Sequence, residues 1–207
     1  MTAVSESSEG GEKTDLYADD IKYLSLISVE EYKATIEAYT YPDDFANCLG
    51  EYEIAVGVAI GQQGRKHFGL CYKTLVGNDA LHNDYGYKLH LIYDCMAAPP
   101  DKNYQTQSET PEPVLFSWEI SAATAEVSGH KPTAALVIDY NRMVQAGMAN
   151  AIKDIEDILY GTDETAASLP PPSQVLETID ASSNLLDSDG NYIFDSNNEK
   201  IRSYVTE

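Results

Sequence analysis

The segment Tyr85-Gly-Tyr-Lys-Leu-His-Leu-Ile-Tyr93 decides the fold class of this chain. Tyrosine and leucine occupy every odd position of the segment, while Gly86, Lys88, His90 and Ile92 occupy the even positions. A period of two residues places alternate side chains on opposite faces of an extended backbone. The segment therefore predicts a β-strand that carries its tyrosine and leucine side chains on one face.

Four further segments have strand character, because they alternate or are rich in aromatic and β-branched residues. They are Thr35–Tyr41, Lys66–Leu75, Val114–Ser121 and Thr133–Asp139. Turn residues such as Pro42-Asp-Asp44 and Gly77-Asn-Asp79 lie between strands. Residues 1–20, rich in Ser, Glu, Gly and Asp, predict a loop or an arm. Five strands at these intervals predict an antiparallel β-sandwich or barrel.

One segment has helical periodicity and predicts a helix over about residues 142–160. Asn141 can cap its start, and Gly161 stands where a C-terminal cap belongs. Its apolar residues are Val144, Met148, Ile152, Ile155 and Leu159. The chain is thus expected to be mainly β with one α-helix. We expect one domain over residues 1–162, followed over 163–207 by a proline-rich linker (Pro170–Pro172) and an acidic appendage.

The charge balance excludes several classes of partner. The 207 residues contain 13 Lys+Arg and 34 Asp+Glu, which gives a net charge of −21. Such a chain cannot bind nucleic acid by neutralising phosphates, and an anionic membrane surface repels it. The longest stretch without charged or strongly polar residues, Ile54–Gly61, is far too short to span a bilayer. Three widely spaced cysteines are consistent with synthesis in a reducing cytoplasm.

Histidines and cysteines at strand spacing suggest a metal site only weakly. His67 and Cys71 are four residues apart, and His90 and Cys95 are five apart, but no CxxC or HExxH spacing occurs. The segment Gly57–Lys66 resembles a phosphate loop without its GxxxxGK[ST] spacing. We therefore interpret these side chains as ordinary strand and surface residues.

Other candidates for chemistry are equally weak. Asp187-Ser-Asp-Gly-Asn191 departs from the calcium-loop pattern, because its glycine comes too early. The acid pairs Glu30-Glu31 and Asp43-Asp44 are expected by chance among so many acids, and no G-x-S-x-G elbow occurs. Trp118 and the 15 tyrosines could line a carbohydrate groove or simply pack a sheet. The sequence predicts no catalytic residue, no cofactor-binding residue, no metal ligand and no cofactor.

A series of short motifs occurs in a fixed order over about three quarters of the chain. The motifs are Thr2-Ala-Val-Ser-Glu-Ser, Leu16-Tyr-Ala-Asp, Thr35-Ile-Glu-Ala-Tyr-Thr-Tyr-Pro-Asp-Asp-Phe, Gly61-Gln-Gln-Gly-Arg-Lys, Phe68-Gly-Leu-Cys-Tyr-Lys-Thr-Leu-Val-Gly-Asn-Asp, Asp84-Tyr-Gly-Tyr-Lys-Leu-His-Leu-Ile-Tyr, Phe116-Ser-Trp-Glu, His130-Lys-Pro-Thr-Ala and Ile158-Leu-Tyr-Gly. With them, the sequence from about Thr2 to Thr162 resembles the major tail proteins (tail tube proteins) of long, non-contractile-tailed bacteriophages (siphophages) and related prophages of Gram-positive bacteria.

The resemblance implies a β-sandwich flanked by an α-helix and a structural, non-enzymatic role in the virion. Six copies would form a ring, and stacked rings would build a tube around a tape-measure protein, bounded by tail terminator and distal tail proteins. DNA would later pass through the tube into the host without specific binding. The chain would be made in the bacterial host cytoplasm and would involve no membrane. No catalytic residue follows from this role.

Two departures from the family and two structural expectations follow. Family members usually begin with an early strand that is missing here, and the region after about Asp180 looks unlike the usual ending.

Long loops over 43–65 and 97–113 are candidates to bridge subunits and rings. Some acids are expected to face the lumen. The alternatives are a β-sandwich module that binds carbohydrate or protein on a virion or cell surface, and an acidic hydrolase.

Overall fold

The computed structural model describes residues 1–79, 82–100 and 113–183. The strands in chain order are β1 (Ala3–Glu9), β2 (Lys13–Ala18), β3 (Ile21–Ile27), β4 (Glu31–Ala38), β5 (Tyr52–Ala55), β6 (Val58–Ile60), β7 (Phe68–Asn78), β8 (His82–Ala97), β9 (Phe116–Ala122) and β10 (Ala135–Asp139). The helices are α1 (Asp43–Ala46), α2 (Tyr140–Gln145), α3 (Ala149–Tyr160) and α4 (Pro172–Ser183), and a 3₁₀ turn covers Asn47–Leu49. The predicted mainly β, antiparallel class is confirmed.

The chain divides into two compact units. The first consists of Met1–Phe68 with Tyr93–Ala123, and the second of Gly69–Ile92 with the chain from Thr124 onward. Strand β8 contributes its last five residues to the first unit and its remainder to the second.

The first unit is built on an antiparallel sheet with one buried face. Strand β4 pairs with β1 on one side and with β9 on the other, and the end of β8 pairs with β9. Ile36 lies directly opposite Trp118, and Ala34 lies opposite Ile120. All four side chains are buried, while the residues between them are polar. The alternation thus gives this sheet a core face and a solvent face, as a period of two requires.

An aromatic cluster closes the core of the first unit. The rings of Tyr41 and Phe45 each meet the indole of Trp118 nearly at right angles, with centroids 5.5 Å apart. The ring of Phe116 stacks beside the indole at 5.7 Å. Edge-to-face pairs of this kind stabilise a core beyond their buried area. Phe45 belongs to α1, so the segment after Pro42 forms a short helix that packs its aromatic ring into the core.

The second unit combines the remainder of β8 with β7, β10 and the longer helices. Strand β10 pairs antiparallel with residues 88–92 of β8, and β7 also pairs with β8. The side chains of Leu89, Leu91 and Ile92 are completely buried. In α3, Ile155 is completely buried and Ile152 is almost completely buried. Pro172 is the first residue of α4, a position where its missing N–H costs no hydrogen bond.

All five predicted strands exist, but the predicted helix over 142–160 is interrupted. It forms two helices, α2 and α3, because Gly147 adopts φ +79° between them and the N–H of Met148 binds the carbonyl of Met143. Asp139 rather than Asn141 caps the first helix, since its carboxylate accepts a hydrogen bond from the N–H of Arg142 at 3.1 Å.

Two loop predictions are wrong. Residues 1–20 contain β1 and β2 rather than a loop, and residues 43–65 contain α1, the 3₁₀ turn, β5 and β6. Ser- and Glu-rich strands lack the apolar alternation that marks a half-buried strand, so the pattern of β1 carries no strand signal. Most of the second predicted loop, 97–113, falls outside the described residues.

Candidate self-assembly surfaces

The β2–β3 hairpin exposes large apolar side chains on both of its faces. Leu16 lies directly opposite Leu24, and Thr14 lies opposite Leu26. Ile21, Tyr23 and Ile27 alternate with these leucines along β3 and so occupy the other face. Tyr23 is 79% exposed and Ile27 73%. Neither face has the buried row of side chains that the strands of the main sheet have.

A polar network holds this hairpin together. The Nζ of Lys22 lies 2.8 Å from one carboxylate oxygen of Asp15, and the Nζ of Lys13 lies 3.6 Å from the other. The hydroxyl of Ser25, across the ladder, donates to Asp15 at 2.5 Å. The ammonium of Lys22, followed by the Ser25 hydroxyl, lowers the pKa of Asp15. Both lysines of the hairpin are therefore engaged within it.

The turn of the hairpin is short and acidic. Asp19 and Asp20 are its two central residues, with φ of +51° and +61°. Two positive φ values are typical of a type I′ turn, which matches the twist of the strands, and aspartate tolerates this conformation better than most residues. Among the described residues, neither carboxylate has an ion-pair partner.

A second exposed hairpin is formed by β5 and β6. Seven consecutive residues, Ile54–Ile60, contain no charged side chain. Ile54, Val56 and Val58 are exposed, and Val56, at the turn, is 100% exposed. The turn is fixed by the carboxylate of Glu53, which accepts a hydrogen bond from the N–H of Gly57 at 2.6 Å. This hairpin therefore holds an apolar tip in water.

A basic segment lies beside the base of the β5–β6 hairpin. The N–H of Gln63 binds the carbonyl of Gly50 at 3.0 Å, and the N–H of Lys66 binds the carbonyl of Asn47 at 3.2 Å. These bonds place Arg65 and Lys66 next to the residues that lead into β5. Arg65 donates to the carbonyl of Ala97 at 3.3 Å, while the Lys66 side chain has no bonded partner among the described residues.

The solvent face of the first unit's sheet is polar and predominantly acidic. Its members on β1, β4 and β9 share one side of the pleat, opposite the core residues. They are Ser5, Ser7, Glu9, Glu31, Lys33, Thr35, Glu37, Ser117, Glu119 and Ser121. The single base of this set, Lys33, binds Glu9 at 2.5 Å, and that carboxylate raises the pKa of Lys33. We call this surface the polar face.

In the second unit, Lys73 joins β7 to α3. Its Nζ lies 2.9 Å from a carboxylate oxygen of Glu156 and 3.8 Å from the ring centroid of Tyr87. The ring of Tyr87 stacks on that of Tyr140 at 4.5 Å. Burial, followed by a hydrogen bond to Glu156, raises the pKa of Tyr87 well above that of free tyrosine. The cluster is a packed link between sheet and helix rather than an open site.

The candidate metal ligands belong to separate local structures. His67 binds the carboxylate of Asp94 at 2.5 Å, and His90 stacks on Tyr72 and contacts the hydroxyl of Thr74 at 2.9 Å. Cys95 is completely buried, and Cys71 is half-buried. In the part of the chain that the structure describes, no group of three or more His, Cys, Asp or Glu residues could hold a metal ion.

The remaining sequence candidates have equally ordinary surroundings. Gly57–Lys66 contains β6 and runs into strand β7, so the strand–loop–helix geometry of a phosphate loop does not form. Trp118 is only 2% exposed and cannot line a carbohydrate groove. Asp43 and Asp44 lie in the first turn of α1, and Glu31 belongs to the polar face. The segment Asp187–Asn191 lies outside the described residues.

The exposed hairpins are the features that sequence reasoning missed. The pattern Ile21-Lys-Tyr-Leu-Ser-Leu-Ile27 contains enough β-branched and aromatic residues to indicate a strand, but it shows no alternation between apolar and polar positions.

No protein-family model matches this chain, and no curated protein has a significant sequence match to it. None of the helices formed by the described residues is long and apolar enough to cross a bilayer.

Proposed function

We propose that this chain is a structural virion protein, a tail tube subunit that assembles into hexameric rings, which stack into a hollow tube for DNA delivery. The proposal rests on the motif resemblance and on one observation, the β2–β3 hairpin with exposed apolar side chains on both faces. The hairpin would serve recognition between copies of the chain rather than catalysis. The assembled tube would belong to the tail of a siphophage or a related prophage.

The hairpin supports this proposal because it is a poor structure for an isolated subunit. A two-stranded hairpin alone is marginally stable in water, and it gains stability when an apolar face is covered. Contiguous apolar patches beyond a few hundred Å² are rare on monomers and mark interaction sites. Leu16, Leu24 and Leu26 on one face, with Tyr23 and Ile27 on the other, give the hairpin two faces to cover.

A closed ring also requires two different surfaces on each subunit. In a head-to-tail contact, a patch on one copy binds a different patch on the next, and a ring forms when the rotation closes. The first unit has two separate exposed apolar hairpins, β2–β3 and β5–β6. This is the minimum that such an assembly needs.

The polar face is our candidate for the lumen wall. DNA carries one negative charge per about 1.7 Å of duplex, so a basic wall would bind it, whereas an acidic wall allows passage. Glu31 and Glu119 are near enough to Lys33 to help raise its pKa, after Glu9, but among the described residues neither they nor Glu37 form an ion pair. Serine and threonine side chains surround them and keep the surface hydrated.

The partners that this function requires are other copies of the chain, a tape-measure protein inside the tube, and tail terminator and distal tail proteins at its ends. DNA passes without sequence recognition. The alternative function is a carbohydrate- or protein-binding module. Its carbohydrate-binding form has less support, because Trp118 is buried and cannot line a groove.

Negative-stain electron microscopy of concentrated protein tests the proposal. We expect rings with a central hole, and stacks of such rings at higher concentration. Particles that stay single over the whole concentration range, with or without bound glycan, would contradict it. A binding module predicts such particles together with glycan or protein binding.

A further inference from the structure

We propose that the β5–β6 hairpin of one copy is the receptor for the β2–β3 hairpin of the next copy. This inference rests on the proposed function and adds the identity of the two contacting surfaces. The apolar content of the two hairpins, the charges beside them and the need for a head-to-tail contact support this pairing.

Apolar complementarity is the first reason. One face of the β2–β3 hairpin needs a surface that accepts Tyr23 and Ile27 without placing an unpaired charge against them. The tip of the β5–β6 hairpin meets this requirement, because Ile54–Ile60 contains no charged residue and Val56 is wholly exposed. The polar face does not, since it carries several carboxylates. Burying an unpaired charge against apolar side chains is costly.

Charge complementarity is the second reason. The β2–β3 turn ends in Asp19 and Asp20, which have no ion-pair partner among the described residues. Arg65 and Lys66 stand beside the β5–β6 hairpin in a chain where acids outnumber bases by 34 to 13. An acidic turn therefore meets a scarce basic segment when the β2–β3 hairpin lies along the β5–β6 hairpin with Asp19 and Asp20 at its base. Such pairing fixes orientation and accelerates association.

The same charges disfavour contact between two identical hairpins. Lys13 and Lys22, the bases of the β2–β3 hairpin, already bind Asp15. Two copies joined through this hairpin alone would bring together acidic turns without a free base. A contact between the two different hairpins avoids this repulsion, and it is also the kind of contact that builds a ring rather than a closed pair.

Mixing two complementary variants tests this assignment. Variant A carries Tyr23→Asp and Ile27→Asp, and variant B carries Ile54→Asp and Val56→Asp. All four positions are exposed, so we expect circular dichroism to match the wild-type chain. Each variant alone should remain monomeric, with self-association weakened by about ten-fold or more. In the mixture, the intact hairpin of variant B binds the intact hairpin of variant A, and we expect a 1:1 dimer that grows no further.

Cysteine trapping provides a second readout that does not depend on weakening the contact. Tyr23→Cys in one chain and Val56→Cys in another should form a mixed disulfide under mild oxidation. Tyr23→Cys with Val137→Cys is the matched control, because Val137 is an exposed valine on β10 that belongs to neither hairpin. We expect no specific cross-link in the control.

The outcomes separate this inference from the proposed function. If the wild-type chain assembles while the mixture of A and B stays monomeric and the trap forms no cross-link, the hairpin pairing is wrong and the tube function stands. Assembly of variant B alone would likewise overturn the pairing. If the wild-type chain never self-associates, both the function and the pairing are rejected.

Discussion

Leu16 and Leu24 face each other directly across the β2–β3 ladder, and both are 45% exposed. A cross-strand leucine pair normally stabilises a sheet by packing on a core as well as on its partner. Here the described subunit supplies no such core. For this reason we expect another molecule to cover the hairpin.

Replacing this pair should weaken assembly without unfolding the subunit. We expect Leu16→Thr with Leu24→Thr to keep the strands, because threonine favours β structure, and to change the free energy of unfolding by about 0.5 kcal/mol or less. Self-association should weaken by about ten-fold or more. Urea unfolding and sedimentation velocity measure the two effects separately. Val137→Thr is the control, and equal loss of assembly in the control would contradict the assignment.

The acidic turn should make assembly sensitive to salt. Asp19→Asn with Asp20→Gly removes both charges and keeps the type I′ turn, since Asn-Gly is the preferred sequence for it. We expect slower association of this variant at low salt and a weaker dependence of its rate on ionic strength. Light-scattering kinetics between low and physiological salt measure this. A rate that is unchanged at low salt would show that the turn meets no basic partner.

The approach of Asn141 to Gly86 makes a sharp prediction for stability. A Cβ at position 86 would lie 2.1 Å from Oδ1 of Asn141, so Gly86→Ala forces that side chain to move and should destabilise the fold by about 1 kcal/mol. Shortening the neighbour with Asn141→Ala in the same chain should recover part of that loss. Gly64→Ala is the control, because no atom lies within 4 Å of a Cβ added there. Additive effects of the two substitutions in urea unfolding would contradict the contact.

Tyr87 should make the stability of the fold decrease as the pH rises in the alkaline range. Its pKa is raised in the folded chain, first by burial and then by Glu156, above the value of about 10 for an unfolded tyrosine. The folded state therefore retains a proton that the unfolded state releases, and stability falls as pH rises above about 10. Tyr87→Phe should flatten this dependence in part. Tyr160, Cys71 and Cys48, whose pKa values are also raised by burial, contribute to the remainder. So do Lys22 and Lys33, whose pKa values are raised by their carboxylate partners. Urea midpoints between pH 8 and the alkaline limit test this, and identical slopes for both chains would refute it.

The polar face should control how DNA behaves inside assembled tubes. Glu31→Lys with Glu119→Lys turns two acids of this face into bases, and we expect slower DNA ejection from particles that carry the variant, with a dependence on salt. Glu126→Lys with Glu164→Lys changes the charge equally at exposed positions of the second unit. Ejection kinetics that are unchanged by both variants would remove the lumen assignment.

The sequence predicts the buried part of this fold well and the exposed part poorly. In the alternating segment Tyr85–Tyr93, Leu89, Leu91 and Tyr93 are buried on the predicted face, but Ile92 on the opposite face is buried as well. The spacing of Ile152 and Ile155 marks the buried side of α3. Hydrophobic periodicity carries no such signal in β1, which is polar on both faces, or in β3, which is apolar on both. For this reason the sequence pattern does not predict the exposed β2–β3 hairpin.

The apolar spacing of the sequence also does not predict where the helix over 142–160 is interrupted. The apolar spacing continues from Val144 to Leu159 without a gap, yet Gly147 adopts a left-handed conformation that ends α2. Asp139 caps α2, and Asn141 lies within the helix with its side chain against Gly86, a contact between distant parts of the chain. Sequence spacing alone cannot report such a contact.

The mass of the smallest assembled species tests the central claim most directly. Native mass spectrometry of the concentrated wild-type chain should show a species of six times 22.7 kDa, with multiples of that mass as rings stack. A single species of 22.7 kDa at every concentration, from a chain whose circular dichroism shows it to be folded, would contradict the account.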